Sequence, residues 1–211
     1  MDHHLVFSNR WADNKDFAEV RFPLLADKMA SHLKRKRVIF MDHGTGWLSL
    51  FPEMSVDRYI VTTNRILKAL TELYSDQDVD LVFKGHPRGY DIHYDLAGFK
   101  VYDKNVTAEM MFARESQSIM AVYSQVSTSA RTASLFGIHS YIFDELYDLP
   151  EEQRNKNQRS LVDFGNVVNI RSLDELEVPG TSASQYYSTE EDLDRLADVF
   201  GEIISTGKTR K

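Results

Sequence analysis

The chain has 211 residues, of which 42% are hydrophobic and 11% aromatic, enough to fill the core of one large domain or two small ones. Its formal charge of -7 argues against a nucleic-acid partner, because binding a phosphate backbone requires a concentrated basic surface. The absence of cysteine excludes disulfides, thiolate metal ligands and cysteine nucleophiles, and fits a reducing compartment. No apolar run reaches the roughly 20 residues of a membrane span, and no signal peptide opens the sequence, so we expect a cytoplasmic location.

Short β-rich runs alternate along the chain with longer segments of helical period, which is typical of a parallel sheet covered by helices. Most of these runs are nearly continuous in apolar residues, which favours strands buried on both faces. We therefore predict an α/β fold, a Rossmann-like parallel sheet flanked by helices, with strands at 5–8, 37–41, 79–84, 99–102, 118–123, 140–143 and 166–170. Helices are predicted at about 16–36, 56–76, 106–116, 127–136 and 189–205.

Residues 1–36 form a predicted N-terminal strand and helix, interpreted as the remnant of a second domain, and 37–211 form the predicted main domain. The basic cluster Lys34 to Arg37 is interpreted as a solvated helix end, or alternatively as a contact with an anionic membrane surface. The polar segment 151–159 is predicted to be a surface loop or an irregular connection, and 179–188 a break before a capped helix. One apolar stripe of helical period marks the second helix: Ile60, Asn64, Leu67, Leu70, Leu73 and Tyr74.

The first segment of chemical interest follows the predicted strand 37–41 and reads Asp42-His43-Gly44-Thr45-Gly46. It joins a carboxylate and an imidazole to two glycines, which let a backbone approach a ligand closely. It lacks the lysine of a P-loop and fails the Gly-x-Gly-x-x-Gly fingerprint of dinucleotide sites. Two interpretations stay open, a ligand-facing loop and a tight turn.

The second segment follows strand 79–84 and places His86 between Lys84 and Arg88, with Pro87 fixing the backbone direction. A histidine here can bind a phosphate oxygen or donate a proton near neutral pH, and the flanking cations favour an anionic ligand, although an isolated histidine is more often structural. The nearby acids and histidines match no compact metal-ligand spacing, so we predict no metal site from His86, Asp91, His93 and Asp95.

The third segment follows strand 118–123 and runs from Ser124 through Ser127, Thr128 and Ser129 into a predicted helix. Hydroxyls, unpaired backbone N–H groups and the helix dipole together favour a phosphate at such a helix start. The alternative is simple N-capping by Ser127 or Thr128. Gly137 is expected to end the helix.

Two of these segments together resemble a known family. The sequence Phe83 to Arg88, followed about forty residues later by Tyr123 to Ser129, resembles the His-Pro and Ser-Ser/Thr motifs of bacterial sialyltransferases and polysialyltransferases. Related capsule and Kdo transferases of the GT-B fold look similar. The sequence Asp42 to Gly44 resembles their Asp/Glu-Asp/Glu-Gly motif, with histidine in the middle position. The resemblance covers about residues 37–143, and implies the C-terminal, nucleotide-sugar-binding half of a GT-B glycosyltransferase.

The resemblance implies a glycosyltransferase-type domain that binds CMP-sialic acid or CMP-Kdo and transfers the sugar with inversion to a surface glycan or glycolipid acceptor. His86 would contact the donor phosphate and act as general acid, and Asp42 or His43 would take the acceptor proton. The phosphate-binding set would be Pro87, Lys84, Arg88, Ser127, Thr128, Ser129, Gly44 and Thr45. We expect no cofactor, no metal and no nucleic acid. The protein would act in the cytoplasm, at the inner face of the cell membrane or in a larger assembly.

Two alternatives stay open at this stage. One is another sugar-nucleotide enzyme of GT-B fold, such as an epimerase with a different base. The other is a non-catalytic module that binds a nucleotide or phosphate, or serves assembly, because fold alone does not determine activity.

Overall fold

The computed structural model describes residues 4–6, 17–19, 35–51, 54–86, 94–125, 128–155 and 167–180. The strands are β1 (His4–Val6), β2 (Phe17–Glu19), β3 (Lys36–Met41), β4 (Val79–Lys84), β5 (Lys100–Val101), β6 (Ile119–Ser124), β7 (His139–Ile142) and β8 (Val167–Asn169). The α-helices are α1 (Val56–Leu73), α2 (Ala108–Glu115) and α3 (Thr128–Leu135).

The main sheet has six strands in the order β5-β4-β3-β6-β7-β8, and each neighbouring pair is parallel. The α/β prediction with a helix-flanked parallel sheet is therefore confirmed. From β3 the chain builds outward through β4 to β5, then returns to the other side of β3 and builds through β6 to β8. The direction of building reverses between β3 and β6, which makes this pair the topological switch point of the sheet.

Both faces of the sheet are buried, which explains the nearly continuous apolar strands. Val38 and Phe40 of β3 belong to a core cluster that also contains the apolar stripe of α1. Ile39 and Met41 alternate to the other face, where they join a second cluster with residues of α2 and α3. Helix α1 therefore covers one face of the sheet, and α2 and α3 cover the other.

Helix α1 begins where Ser55 accepts a hydrogen bond from the backbone N–H of Arg58, which caps the helix. Its buried stripe comprises Tyr59, Thr63, Ile66, Leu67 and Leu70. The predicted stripe was thus correct at Leu67, Leu70 and Tyr74, which are buried, and at Ile60 and Leu73, which pack against the same cluster. It assigned the polar position to Asn64, which instead accepts a bond from a loop amide. Within the described ranges, no helix combines the length and apolar character needed to cross a membrane.

The predicted helix 16–36 is wrong at both of its described ends. Residues 17–19 form β2, which pairs in parallel with β1 in a separate two-stranded sheet. Lys36 and Arg37 belong to β3, so these two residues of the basic cluster do not form a helix end. The Lys36 ammonium donates to the carbonyl of Gln117, and the Arg37 guanidinium is paired with Glu115. Strand pairing and ion pairing here override local helical preference.

The predicted surface loop 151–159 is wrong at 151–155, which are helical. Pro150 directly precedes this helical segment, and its carbonyl accepts a bond from the backbone N–H of Arg154. Glu151 and Glu152 then lie in the first turn, where acidic side chains are favourable. The predicted helix 189–205 lies outside the described residues.

Candidate functional site

The three segments of chemical interest leave adjacent strands of the main sheet. Met41, the last residue of β3, is in register with Lys84 of β4 on one side and with Ser124 of β6 on the other. Because the strands are parallel, all three segments emerge at the same edge. Ligands of open α/β sheets bind at this edge, in the crevice at the switch point. The segment after β3 therefore lies between the segments after β4 and β6.

His43 contacts both neighbouring segments. Its ring centroid lies 5.9 Å from that of His86, with the rings inclined at 51°. Its backbone N–H donates to the side-chain oxygen of Gln125, the first residue after β6, at 2.6 Å. The structure thus brings two of the predicted catalytic residues together at the sheet edge and links them to the segment that leads into α3.

Asp42 is buried beneath this surface, with 9% of its area exposed. Its backbone N–H continues the sheet ladder to the carbonyl of Lys84 at 2.9 Å, and the hydroxyl of Tyr94 donates to its Oδ1 at 3.2 Å. Burial raises the pKa of the Asp42 carboxyl, against the opposing effects of hydrogen bonds from Gly44, Gln125 and Tyr94 and of nearby His86. A raised pKa makes the carboxylate a stronger base.

His43 is shifted in the opposite sense. Burial, together with the positive charge of His86, lowers the pKa of the His43 imidazole to about 4. The ring is therefore neutral at pH 7 and a weak proton acceptor. Of the two bases that the sequence left open, the environment strengthens Asp42 and weakens His43.

Gly44 and Thr45 complete the segment after β3. Gly44 has φ of 75°, a left-handed conformation that glycine adopts without steric cost, and its carbonyl accepts from the Tyr59 hydroxyl at 3.3 Å. The carbonyl of Thr45 accepts from the backbone N–H of Leu48, which starts a short 3₁₀ helix, Gly46–Leu50. The turn and the ligand-facing loop were alternatives at the sequence level, and the segment does contain a tight turn.

Lys84 does not extend into open solvent at the sheet edge. It is 1% exposed, and its ammonium donates to the carbonyls of Gly85 at 3.1 Å and Lys104 at 3.3 Å. Burial lowers its pKa, while Asp103 acts in the opposite direction. Its predicted contact with a phosphate stays a prediction, and in this structure its donors bind backbone carbonyls of the loop after β5 and of Gly85.

Helix α3 starts at Thr128 and ends in a left-handed glycine, as predicted. Gly137 has φ of 73°, its N–H donates to the carbonyl of Ser134, and the N–H of Ile138 donates to the carbonyl of Ala133. This pair of bonds is the Schellman arrangement. Ser129 lies in the first turn and is half-buried.

Several predicted contacts lie outside the described residues: Pro87, Arg88 and Ser127. Only the backbone of Thr128 is described. The joint phosphate site of His86 with residues 127–129 therefore stays a prediction. Among the described residues, which include His86 and Asp95 but not Asp91 or His93, no group of three histidine, aspartate or glutamate side chains can hold a metal.

Sequence reasoning missed the polar network beneath the site. It is built from Gln125, Tyr94, Tyr59, Thr63 and Tyr147. Tyr94, Tyr59, Thr63 and Tyr147 lie far from Gln125 in the sequence. Their spacing along the chain therefore does not indicate that they meet Gln125 in the fold. The one available signal was Gln125 itself, a polar residue between a buried strand and a helix. Asp144, fully buried just after β7, was also missed.

No protein-family model matches the chain, and no curated protein matches it significantly. Solved structures with a similar fold include KpsC, a beta Kdo 2,4 transferase from Thermosulfurimonas dismutans (18% identity, TM-score 0.35), where the match covers 52% of this chain and 34% of that one. UDP-GlcNAc 2-epimerase from Methanocaldococcus jannaschii is 9% identical, with TM-score 0.48 and coverage of 86% and 49%. The wall teichoic acid polymerase TagF is 12% identical, with TM-score 0.48 and coverage of 95% and 55%.

The matched regions thus span between about a third and about half of these larger structures. The similarity concerns the arrangement of strands and helices. At these identities and TM-scores it assigns no activity to the chain, and the function has to be argued from the residues at the sheet edge.

Proposed function

We propose that the chain is a glycosyltransferase-type domain that binds a nucleotide-activated sugar at the carboxyl edge of the main sheet. The observation that supports this is the position of His43, which contacts His86 on one side and Gln125 on the other at the switch point. A carboxylate of raised pKa lies directly below, and a serine-rich helix start follows. Acid, base and anion-binding groups of this kind suit transfer from a phosphate-linked donor.

In the proposed reaction, the acceptor hydroxyl oxygen attacks the anomeric carbon of the donor sugar, and its proton passes to Asp42. The bond between the anomeric carbon and the phosphate oxygen breaks, and His86 donates a proton to that oxygen. Residues 127–129, with the dipole of α3, hold the departing phosphate. Inversion follows from a single displacement. The proposal includes no metal: protonated His86, Arg88 and the positive end of the α3 dipole would supply the positive charge, since the Lys84 ammonium bonds backbone carbonyls.

The donor we propose is a CMP-linked acidic sugar, either CMP-sialic acid or CMP-Kdo, and the acceptor is a surface glycan or glycolipid. The support for this choice is the sequence resemblance of the His-Pro and Ser-Ser/Thr motifs to transferases that use such donors. The reaction would take place in the cytoplasm, at the inner face of the cell membrane.

Nucleotide-dependent thermal stabilisation tests the proposal. We expect CMP, CMP-sialic acid or CMP-Kdo at about 100 times its dissociation constant to stabilise the fold by about 2.7 kcal/mol, seen as a raised Tm. His86→Ala should reduce the stabilisation by the intact donor. The matched control is His139→Ala. His139 is the first residue of β7 and so lies where the parallel strands begin, whereas His86 lies where they end.

The outcomes separate the candidate functions. Stabilisation by UDP-sugars alone would support a different sugar-nucleotide enzyme. Absence of stabilisation by any nucleotide would contradict the proposal. Equal losses in His86→Ala and His139→Ala would show that the sheet edge does not bind the donor.

A non-catalytic binding module is the second candidate, and the low exposure of Asp42 favours it. An acceptor hydroxyl must reach a carboxylate that is 9% exposed and hydrogen-bonded by Tyr94. Under this alternative the nucleotide binds but no sugar is transferred. Single-turnover assays with a labelled donor and a panel of glycan acceptors distinguish the two, since transfer or donor hydrolysis would exclude a purely binding role.

A further inference from the structure

Gln125 is fully buried at the switch point, where it follows β6, and its side-chain amide bonds across to the segment after β3 and to helix α1. Its Oε1 accepts from the backbone N–H of His43 at 2.6 Å and from the hydroxyl of Tyr59 at 2.7 Å. Its Nε2 donates to Thr63 Oγ1 at 3.1 Å. One side chain thus ties the segment after β6 to the segment after β3 and to helix α1.

The orientation of this amide follows from its partners. The backbone N–H of His43 can only donate, so the amide oxygen must face it. The single hydroxyl proton of Thr63 goes to the carbonyl of Tyr59 at 2.9 Å. Thr63 Oγ1 must therefore accept from Gln125, and also from the Tyr147 hydroxyl at 2.9 Å. The one proton of the Tyr59 hydroxyl is shared between Gln125 Oε1 at 2.7 Å and the Gly44 carbonyl at 3.3 Å, and each of the other donors has one acceptor, which restricts the geometry of the network.

We propose that Gln125 is a positioning residue that fixes the loop of Asp42 and His43 against the end of β6 and holds Asp42 ready to accept a proton. The proposal rests on the proposed transferase function for its catalytic meaning, but its structural part concerns the chain alone. Gln125 acts through Asp42 and needs no contact with the donor or the acceptor.

The groups that face Asp42 decide what the amide does to it. Besides Gln125 they are Tyr94, Tyr147 and His86, together with His43, whose ring lies beside that of His86. Burial raises the pKa of both tyrosines, so they remain neutral hydrogen-bond donors throughout the working range. Gln125 supplies a further neutral hydrogen-bond donor, which favours the carboxylate form of Asp42. Without this donor, burial would raise the Asp42 pKa further.

Two substitutions test this role. Gln125→Met removes the amide at similar volume, and Gln125→Glu replaces it with a second carboxyl beside Asp42. We expect the Asp42 carboxyl to titrate at higher pH in both, and further in Gln125→Glu because of like-charge repulsion. The readout is the NMR signal of the side-chain carboxyl carbon of labelled aspartate, followed against pH in ligand-free protein. The signal of Asp42 is assigned by its absence in Asp42→Asn.

In transfer assays, the acid limb of the pH profile should move to higher pH and kcat should fall about tenfold or more, while the dissociation constant of the nucleotide stays within about threefold. Tyr74→Phe is the control. Tyr74 is also buried, and its hydroxyl bonds that of Tyr123 at 2.8 Å, but Tyr74 is not among the groups that act on Asp42.

An unchanged Asp42 titration in folded Gln125→Met would overturn the proposal, as would equal effects of Gln125→Met and Tyr74→Phe on kcat. If Gln125→Met fails to fold, Tyr59→Phe decides, because it removes one donor to the same amide and should raise the Asp42 pKa by a smaller amount. A wild type that binds no nucleotide refutes the transferase function, yet the titration of ligand-free protein still tests the role of Gln125 independently.

Discussion

His43 is held in the neutral form although it lies beside a predicted anion site. Burial first, and then the proximity of His86, lowers its pKa to about 4 from an ordinary value of 6.5. A neutral imidazole can both donate and accept hydrogen bonds, whereas an imidazolium can only donate. His43 is therefore better suited to orienting a neutral hydroxyl than to attracting an anion, and His86 and the start of α3 stay the proposed anion-binding groups.

The lowered pKa of His43 predicts a stability change with pH. Between about pH 6.5 and 4 the unfolded chain binds a proton at this residue that the folded chain does not, so stability is lost as the pH falls through this window. We expect the loss to reach up to about 3 kcal/mol in urea unfolding curves. Asp42, whose folded pKa is raised, contributes in the opposite direction, since its effect is lost as the pH rises.

His43→Asn isolates the histidine contribution. The variant keeps the backbone N–H that bonds Gln125 and the remaining titratable groups. Its free energy of unfolding should therefore fall less steeply than that of the wild type between about pH 6.5 and 4. Parallel curves for the two proteins would contradict the assignment of a buried, neutral imidazole.

At the level of elements, the sequence predicted the central strands β3, β4 and β6 because each is a short, mostly apolar run that is largely buried. The helix predicted at 16–36 failed at 17–19, where pairing with β1 decides the conformation. In α1 the apolar pattern located the helix but not the polar residue on its buried face. Thr63 and Asn64 are equivalent by pattern, and only contact with Gln125, 62 positions away, selects Thr63.

In the candidate site, too, some residues could be predicted from the sequence and others could not. The alternation of elements predicts parallel strands, whose carboxyl ends share one edge, so Asp42, His43 and His86 could be placed at that edge from sequence. The supporting tyrosines could not, because the bond from Tyr59 to Gln125 joins residues 66 positions apart. Long-range partners of this kind leave no local periodicity for sequence analysis to detect.

The end of α3 provides a prediction at this scale. Gly137→Ala forces a side chain into a left-handed position, with φ of 73°, and should destabilise the protein by about 1 kcal/mol. Gly180→Ala is the control, since an added Cβ there meets nothing within 4 Å. Chemical denaturation measures both. Similar values for the two variants would show that the Schellman turn does not determine where α3 stops.

Across the whole molecule, we expect local stability against opening to decrease from the central strand β3 to the outermost strands of the main sheet. In β3, Val38, Ile39 and Phe40 are fully buried and have strands on both sides, whereas Val101 of edge strand β5 is 69% exposed. We expect backbone amides of 38–40 to exchange hydrogen most slowly and those of 100–101 much faster. Mass spectrometry of deuterated protein tests this order, and equal protection of β3 and β5 would contradict it.

The switch point divides the main sheet into two halves that are each continuous in sequence, one from β3 to β5 and the other from β6 to β8. The walls of the crevice therefore come from different halves, which meet at the β3 and β6 seam. A ligand bound there would contact both halves of the sheet. It would therefore stabilise the two halves against separation more than it would stabilise either half against unfolding.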